Sequence, residues 1–489
     1  MNDSSGAPTD LGLATPDGMT GSMRSLFRSW PIIAAALVLL LPALINGYPL
    51  IYPDSAIYIH QGLSFTATGP WAMGYALFLR PFAQFGMLWP AIAAQALVAS
   101  WAIAKLWTSL GSATRPTDVL ALTAVLAPTT TLPWTIGWLI PDIFLGLLIL
   151  SLAALVSTHL LGSKERDWSL IGLAVGCSVM HASSVLLLLS LSVVIIIPTA
   201  IAAIAIGPSR RDLFRLGGSL AIVVLLGLAA NATINGVVHR RLAILTPYGW
   251  SDALAALNRS GLVRPYLDSN CSDLRYRLCQ FADSLPVDPV EFLFSPRSPF
   301  ATLGGWSGVD DEARRIVTDV AMQQPALLIK HVWRSFAEQI ALLDARTEMR
   351  GAMDNPGVLA LLEQDGIKGL DQYRDALQHT GRFPSRFMVS IHHLAILASI
   401  VALLICVPAA VMSAKLRHFC IVAVIAAGII LNDGLSASIA FPQDRFQARV
   451  IWLLPTAVVM LLLLLSRSGV WTSQLPGKPD ARDRMTEDA

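Results

Sequence analysis

Apolar stretches long enough to cross a bilayer recur along this chain, and their interiors are almost bare of charge. From Ile143 to Thr158 no side chain is ionisable, and from Phe419 to Asn432 the only ionisable group is a cysteine thiol. Runs of roughly 17 to 25 such residues are the signature of membrane-spanning helices. The balance of residues agrees, since 54% of the 489 are hydrophobic and only 14% charged, with a mean hydropathy of +0.59. That lies outside the range of a soluble domain. The expected fold is an all-α polytopic membrane protein. The formal net charge of +2 comes from basic residues scattered at span ends, and no basic tract is long enough to follow a phosphate backbone, so a nucleic-acid partner gains no support.

The distribution of Lys and Arg orders the spans, because short cytoplasmic loops carry the excess. Residues 1–30 are polar and Gly/Ser/Thr-rich, with Arg24 and Arg28 just ahead of the first span, Pro31 to Tyr48. They read as a disordered cytoplasmic tail before an uncleaved anchor, the span being too long and without a small-residue cleavage pattern. Residues 49–86 hold one Arg and no Lys, which puts this loop outside. Spans follow at about Met87–Trp107, Thr117–Leu132 and Asp142–Leu161, with an outer loop at 133–142 and Lys164 and Arg166 inside. The stretch Trp168–Gly207 is flanked by basic clusters on both sides and therefore crosses twice, which places its polar midpoint, His181-Ala182-Ser183-Ser184, at the outer face. A seventh span, about Leu216–Ile234, completes a block over 31–234. Three more, about Phe387–Val411, Phe419–Leu435 and Val450–Leu465, lie within 385–467, and 468–489 form a second cytoplasmic tail. About ten spans with both ends inside is the expected count.

Residues 235–384 have the only soluble-domain character. His239-Arg240-Arg241 at their start argues for the inside, but the charge rule weakens for long translocated segments, and the parity of the other spans makes this an external, periplasmic domain. Apolar Ile316, Val320, Ala326, Leu327, Val332, Phe336 and Ile340 recur at helical spacing, broken at Pro325, so two amphipathic helices are expected between Val309 and Leu343. The Pro/Gly/Ser-rich run from Tyr266 to Trp306 reads as ordered loop. Cys271 and Cys279 are the only cysteine pair in this polar region and suit a local disulfide in an exported domain; two free thiols are the alternative. Cys177, Cys406 and Cys420 lie in apolar spans and read as packing residues.

Ionised groups at membrane depth are costly and where they persist usually face a cavity. Asp54 follows the first span in Tyr52-Pro53-Asp54-Ser55, and Pro141-Asp142 repeats the pair ahead of the fourth. Tyr58 stands one helical turn beyond Asp54. Met73 to Phe85, with Arg80 as its lone charge, reads as a helix in the interfacial plane, or as an ordinary connecting helix.

This arrangement resembles the GT-C class of membrane glycosyltransferases, which includes protein O-mannosyltransferases, aminoarabinose transferases and lipid-linked mannosyltransferases. Members carry an acid in the first outer loop, matched here by Asp54, and a second acid in the second outer loop, matched by Asp142. A late outer motif of Glu-Arg-Tyr type is similar to Gln443-Asp444-Arg445-Phe446-Gln447-Ala448-Arg449, which leads to Trp452-Leu453-Leu454-Pro455. Ser55 stands where the family often has a further acid, and no carbohydrate-binding fold is recognisable. The resemblance implies hexosyl or pentosyl transfer from a polyprenyl-phosphate donor to a periplasmic lipid-linked glycan or envelope acceptor, at a bacterial inner membrane. Asp54 would be the catalytic base. Asp142 would assist it, orient acceptor hydroxyls or share a divalent cation, although two carboxylates alone make a poor metal site. Tyr58, Arg80, His181, Arg445 and Arg449 would bind substrate, the cations and His181 meeting the departing phosphate.

Plainer readings stand beside these. Asp54 and Asp142 could each cap a helix N-terminus, Asp444 and Arg445 could form a surface ion pair, and His181 could be a satisfied interfacial histidine. His392-His393 suits packing, and Trp134, Trp138 and Trp452 suit an aromatic belt. A transporter or lipid flippase is the rival class, although such proteins tend to place their polar groups near the bilayer midplane. A membrane scaffold whose outer domain binds a partner is a third.

Overall fold

The computed structural model describes residues 21–467 apart from 112–114, 116, 161–164, 207–209, 344–354, 381, 384 and 413–415. The expectations for 1–20 and 468–489, and for Lys164, lie outside the described residues. Among the described residues regular structure is helical, with a single isolated bridge pairing Leu50 with Trp138. The principal helices are α1 (Gly21–Leu39), α2 (Pro53–Ser64), α3 (Met73–Ala83), α4 (Trp89–Ser109), α5 (Asp118–Thr129), α6 (Asp142–Leu160), α7 (Trp168–Ser178) and α8 (Ser184–Ile206). They continue with α9 (Arg210–His239), α10 (Gly249–Arg259), α11 (Gly305–Gln323), α12 (Pro325–Ala341), α13 (Ser385–Met412), α14 (Leu416–Ile439), α15 (Asp444–Ile451) and α16 (Leu453–Arg467).

Among the described residues six segments are long and apolar enough to cross a membrane: α4, α6, α9, Arg386–Ile405 within α13, Cys420–Ile439 within α14, and Asp444–Arg467. Four shorter apolar helices accompany them, at Ser29–Leu39, Asp118–Thr129, Trp168–Ser178 and Ser184–Ile197. These helices make the chain a multi-pass membrane protein. The first helix starts at Gly21 and passes through Pro31, so part of the expected disordered tail is helical. Beyond Leu39 the chain re-forms as a short helix, Leu41–Asn46, with Pro42 in its first turn. A proline inside a helix removes one ladder donor, and one in the first turn removes none that was needed.

The centre of the bundle is α6. It is apolar around its whole circumference, and a helix without a polar face has to be enclosed; all but Thr158 of its residues are buried or nearly so. Helices α4, α7, α9, α14 and α15 pack around it. Close approach is bought by small residues, as expected where lipid supplies no hydrophobic drive between helices. A Cβ on Gly146 would stand 2.7 Å from the Trp452 ring and 2.9 Å from the Arg449 carbonyl, and one on Gly428 2.6 Å from Ile149. Gly146 therefore lets the backbone carrying Arg449 lie directly against α6.

Residues 235–384 divide into two parts and do not form one domain. Residues 249–341 form a helical cap with its own core, in which Leu254, Tyr266, Phe292, Phe300, Ile316 and Val320 meet. Residues 356–380 join the main core instead, through Val358, Leu362 and Tyr373. Gln378 ties them to the start of the chain, donating from Nε2 to the Ile51 carbonyl at 2.9 Å and accepting the Ile51 N–H at 3.1 Å. Cys271 and Cys279 are joined by a disulfide, with Cα atoms 5.7 Å apart, while Cys177 and Cys420 are buried free thiols.

The two amphipathic helices break at Gln324, beside Pro325. Their apolar faces differ. Ile316 and Val320 of α11 are buried, but Leu327 and Ile340 of α12 are exposed, as are Ile329 and Trp333. Helix α12 lies along α14, with Ser335 and Gln339 buried and the Phe336 ring beside Gly434. In helix α3, Met73, Tyr75, Ala76 and Leu79 are buried, and the helix packs on α2.

Candidate functional site

A cavity of about 410 Å³ opens where the ends of the bundle helices meet the cap. Its lining combines apolar Trp71, Leu186, Phe294, Trp306 and Ile439 with Asp54, His181, Arg445 and Arg449. Concave, largely apolar sites with a few convergent polar groups are the usual form of a ligand pocket.

Asp54 is placed by α2. Pro53 occupies the first helical position, Tyr52 is the N-cap, and the Tyr52 N–H donates to Ser55 Oγ at 2.9 Å. The backbone ends are thus served by Ser55, and the Asp54 carboxylate is directed elsewhere: Arg445 Nη1 donates to its Oδ2 at 2.8 Å. Asp54 is also the acid of the first turn of α2, where the helix dipole favours it. Ser55 has the structural task.

Asp142 begins α6 and is 1% exposed. Arg449 Nη1 donates to its Oδ1 at 3.3 Å, and Arg445 Nε stands 3.6 Å from its Oδ2. The two arginines sit four residues apart on α15, so both project from one helix face. Arg449 is 2% exposed and has a full set of partners, donating from Nε to Asn432 Oδ1 at 2.9 Å and from Nη2 to Ser436 Oγ at 3.0 Å. Its guanidinium lies 4.6 Å from the Phe446 ring centroid. Arg445 is stacked 4.7 Å from the Tyr52 ring and 5.4 Å from Phe446, contacts that suit a planar guanidinium.

His181 lies in the turn between α7 and α8. Its Nδ1 accepts the Ser183 N–H at 3.1 Å, and its Nε2 stands 3.4 Å from Arg449 Nη1 and 3.8 Å from Asp142 Oδ1. Burial, then the Arg449 and Arg445 charges, hold the imidazole well below its ordinary pKa and hence neutral. Tyr58 is buried, lines the cavity and meets Tyr75 edge-to-face at 5.1 Å.

Of the residues expected from sequence, Asp54, Asp142, Tyr58, His181, Arg445 and Arg449 come together. Arg80 does not. It caps the far end of α2, donating to the Gly62 and Leu63 carbonyls and stacking over Phe65, because a basic side chain beside an unfinished helix end finds free carbonyls there. Three further polar residues were missed. Asn432 and Ser436 belong to the Arg449 network, and Asp252 of α10 lines the cavity from the cap side. Asn432-Asp433 is a polar pair inside an otherwise apolar span, which was a usable signal. Asp433 is answered by Gln447, whose amide nitrogen, turned towards it, donates to both carboxylate oxygens at 2.6 and 2.7 Å. Asp252 gave no signal, being one acid on an ordinary amphipathic helix.

Among the described residues no group of three or more His, Cys, Asp or Glu side chains could hold a metal ion. His392 is buried in α13, and His393 Nε2 contacts the Leu343 carbonyl at 3.1 Å; both lie away from the cavity lining. No family model, curated protein or solved structure matches the chain.

Proposed function

We propose that this multi-pass membrane protein is a glycosyltransferase of GT-C type, moving a sugar from a polyprenyl-phosphate donor to a hydroxyl of a lipid-linked glycan or envelope acceptor. The observation that carries the reading is the cavity in which Asp54 and Arg445 stand together among apolar lining residues. Asp54 takes the proton of the acceptor hydroxyl. The acceptor oxygen forms a bond to the anomeric carbon as the carbon–oxygen bond to phosphate breaks, and the electron pair leaves with the phosphate. Arg445 is the phosphate contact, being the more accessible of the two arginines, 13% exposed at its side chain against 2% for Arg449. An incoming phosphate competes for Arg445 and frees the Asp54 oxygen it holds. Arg449, buried with Asp142, Asn432 and Ser436, keeps α15 and α6 in register beneath the site. Trp71, Phe294 and Trp306 suit the sugar face or the first isoprene units.

In this reading the six long and four shorter apolar helices are ten crossings, and the cavity and cap face the periplasm. The test of sidedness is a cysteine introduced at Asp283, which is exposed on the cap. It should react with a membrane-impermeant maleimide in spheroplasts without lysis, and labelling only after lysis would put the cap on the cytoplasmic side.

The test of the activity uses purified protein in lipid with labelled polyprenyl-phosphate sugars and candidate glycan acceptors. Covalent transfer that depends on protein is the expected result. Movement of sugar across sealed vesicles without covalent transfer would instead favour the transporter reading.

A further inference from the structure

The cavity holds one carboxyl that the reaction proposed above leaves idle. Asp252 sits in the first turn of α10, on the cap, and lines the same cavity as the Asp54–Arg445 pair, whose charges act on it. Its helix is fixed from behind, since Ser251 donates through its N–H and Oγ to Asp310 of α11 at 3.1 and 3.2 Å. Among the described residues no hydrogen bond satisfies the Asp252 carboxyl itself, so its polar atoms are offered to the cavity.

The charges around it do not balance. Arg445 and Arg449 are the cations of the lining, and each already faces a carboxylate, Arg445 with Asp54 and Arg449 with Asp142. On the elements packed against α10, Asp433 of α14 is turned to Gln447, and Arg264 of helix Val263–Leu274 is turned to Asp283. Glu291 of helix Pro289–Phe294 is exposed. The groups that act on Asp252 are Asp54, Asp310 and Arg445. An anion entering this cavity therefore finds no spare positive charge, and a third ionised carboxylate would repel it.

We propose that Asp252 sets the anion affinity of the cavity: a phosphate-linked lipid is held at Arg445 only while the Asp252 carboxyl is protonated, and ionisation of Asp252 expels it. This rests on the reading that the cavity takes a phosphate-linked donor. Burial first, then the Asp54 and Asp310 charges, push this carboxyl up to about 7 against the opposing pull of Arg445. Below that pH the protonated group adds no charge and offers a hydrogen bond to a phosphate or sugar oxygen; above it the carboxylate opposes the phosphate. Affinity for an anionic lipid thus falls as pH rises through neutrality.

The probe is decaprenyl-phosphoglucose, a phosphodiester whose charge is constant over the range, with quenching of the cavity tryptophans as the readout. Wild-type affinity should fall on the order of tenfold between about pH 6 and about pH 8. Asp252→Asn, neutral throughout, should bind at the higher pH as tightly as wild type does at the lower, and Asp252→Ser should lack the pH dependence too. A gain of affinity cannot come from misfolding. Parallel pH dependence in wild type and Asp252→Asn overturns the proposal, as does wild-type binding that ignores pH, or loss of binding by both neutral variants at the lower pH. Wild-type protein that binds the phosphodiester at neither pH brings down the donor reading itself.

Discussion

Replacing Asp54 by Asn is expected to lower turnover by about 10²–10⁴-fold, the usual worth of a positioned general base. The fold should survive. Asn keeps an oxygen to accept from Arg445 Nη1, which donates to Asp54 at 2.8 Å in the native chain, and the start of α2 is secured independently by Pro53 and Ser55. Asn retains the shape and loses the ability to hold a proton, so the defect should fall on kcat. The KM for donor should hold or improve, because Arg445 would no longer be shared with a carboxylate. The measurement is steady-state transfer from a labelled polyprenyl-phosphate sugar, with the thermal midpoint in detergent as the fold control. Unchanged kcat in a well-folded variant would remove Asp54 from the chemistry and leave it as the counter-ion of Arg445.

The acids and arginines of this site could be read from sequence because membranes make charge conspicuous. Asp54, Asp142, Arg445 and Arg449 interrupt or border apolar runs in which ionised groups are expensive, and Arg445 and Arg449 share a helical spacing that aims them together. Their meeting was not legible. Asp54 and Arg445 are separated by 391 positions, and the register that joins them depends on helix packing, such as the contact Gly146 permits against the Arg449 carbonyl.

The failures have equally local causes. Arg80 looked like Arg445, a lone cation in an outer loop, but it stands beside the carbonyl end of α2 and is consumed there. Asp252 lies on a polar-faced helix where an acid is unremarkable, so only the closing of the cap over the bundle gives it meaning. In α12 the apolar stripe was visible, yet Ser335 and Gln339 are buried while Leu327 and Ile340 are exposed.

The largest effect on the fold is expected from Arg449→Met. Asp142 is 1% exposed and Arg449 2%, and removing one member of such a pair leaves a charge in a place that cannot solvate it, at a cost of about 3–5 kcal/mol. Arg445 Nε, 3.6 Å from Asp142 Oδ2, offsets part of that only by loosening its hold on Asp54. Asn432 Oδ1 and Ser436 Oγ lose their donor as well. Against a total stability of about 5–15 kcal/mol, the variant should be recovered in low yield with a depressed thermal midpoint in detergent. Arg449→Lys should rescue little, because one ammonium cannot serve Asn432, Asp142 and Ser436 from three directions. The double variant Asp142→Asn/Arg449→Met separates the possibilities. Neutralising both partners removes the stranded charge, so the thermal midpoint should return most of the way to wild type while transfer stays low. That pattern would assign the buried pair to alignment of the site and not to stability. A double variant no better than Arg449→Met would mean that the Asn432 and Ser436 contacts, and not the carboxylate, are what Arg449 holds in place.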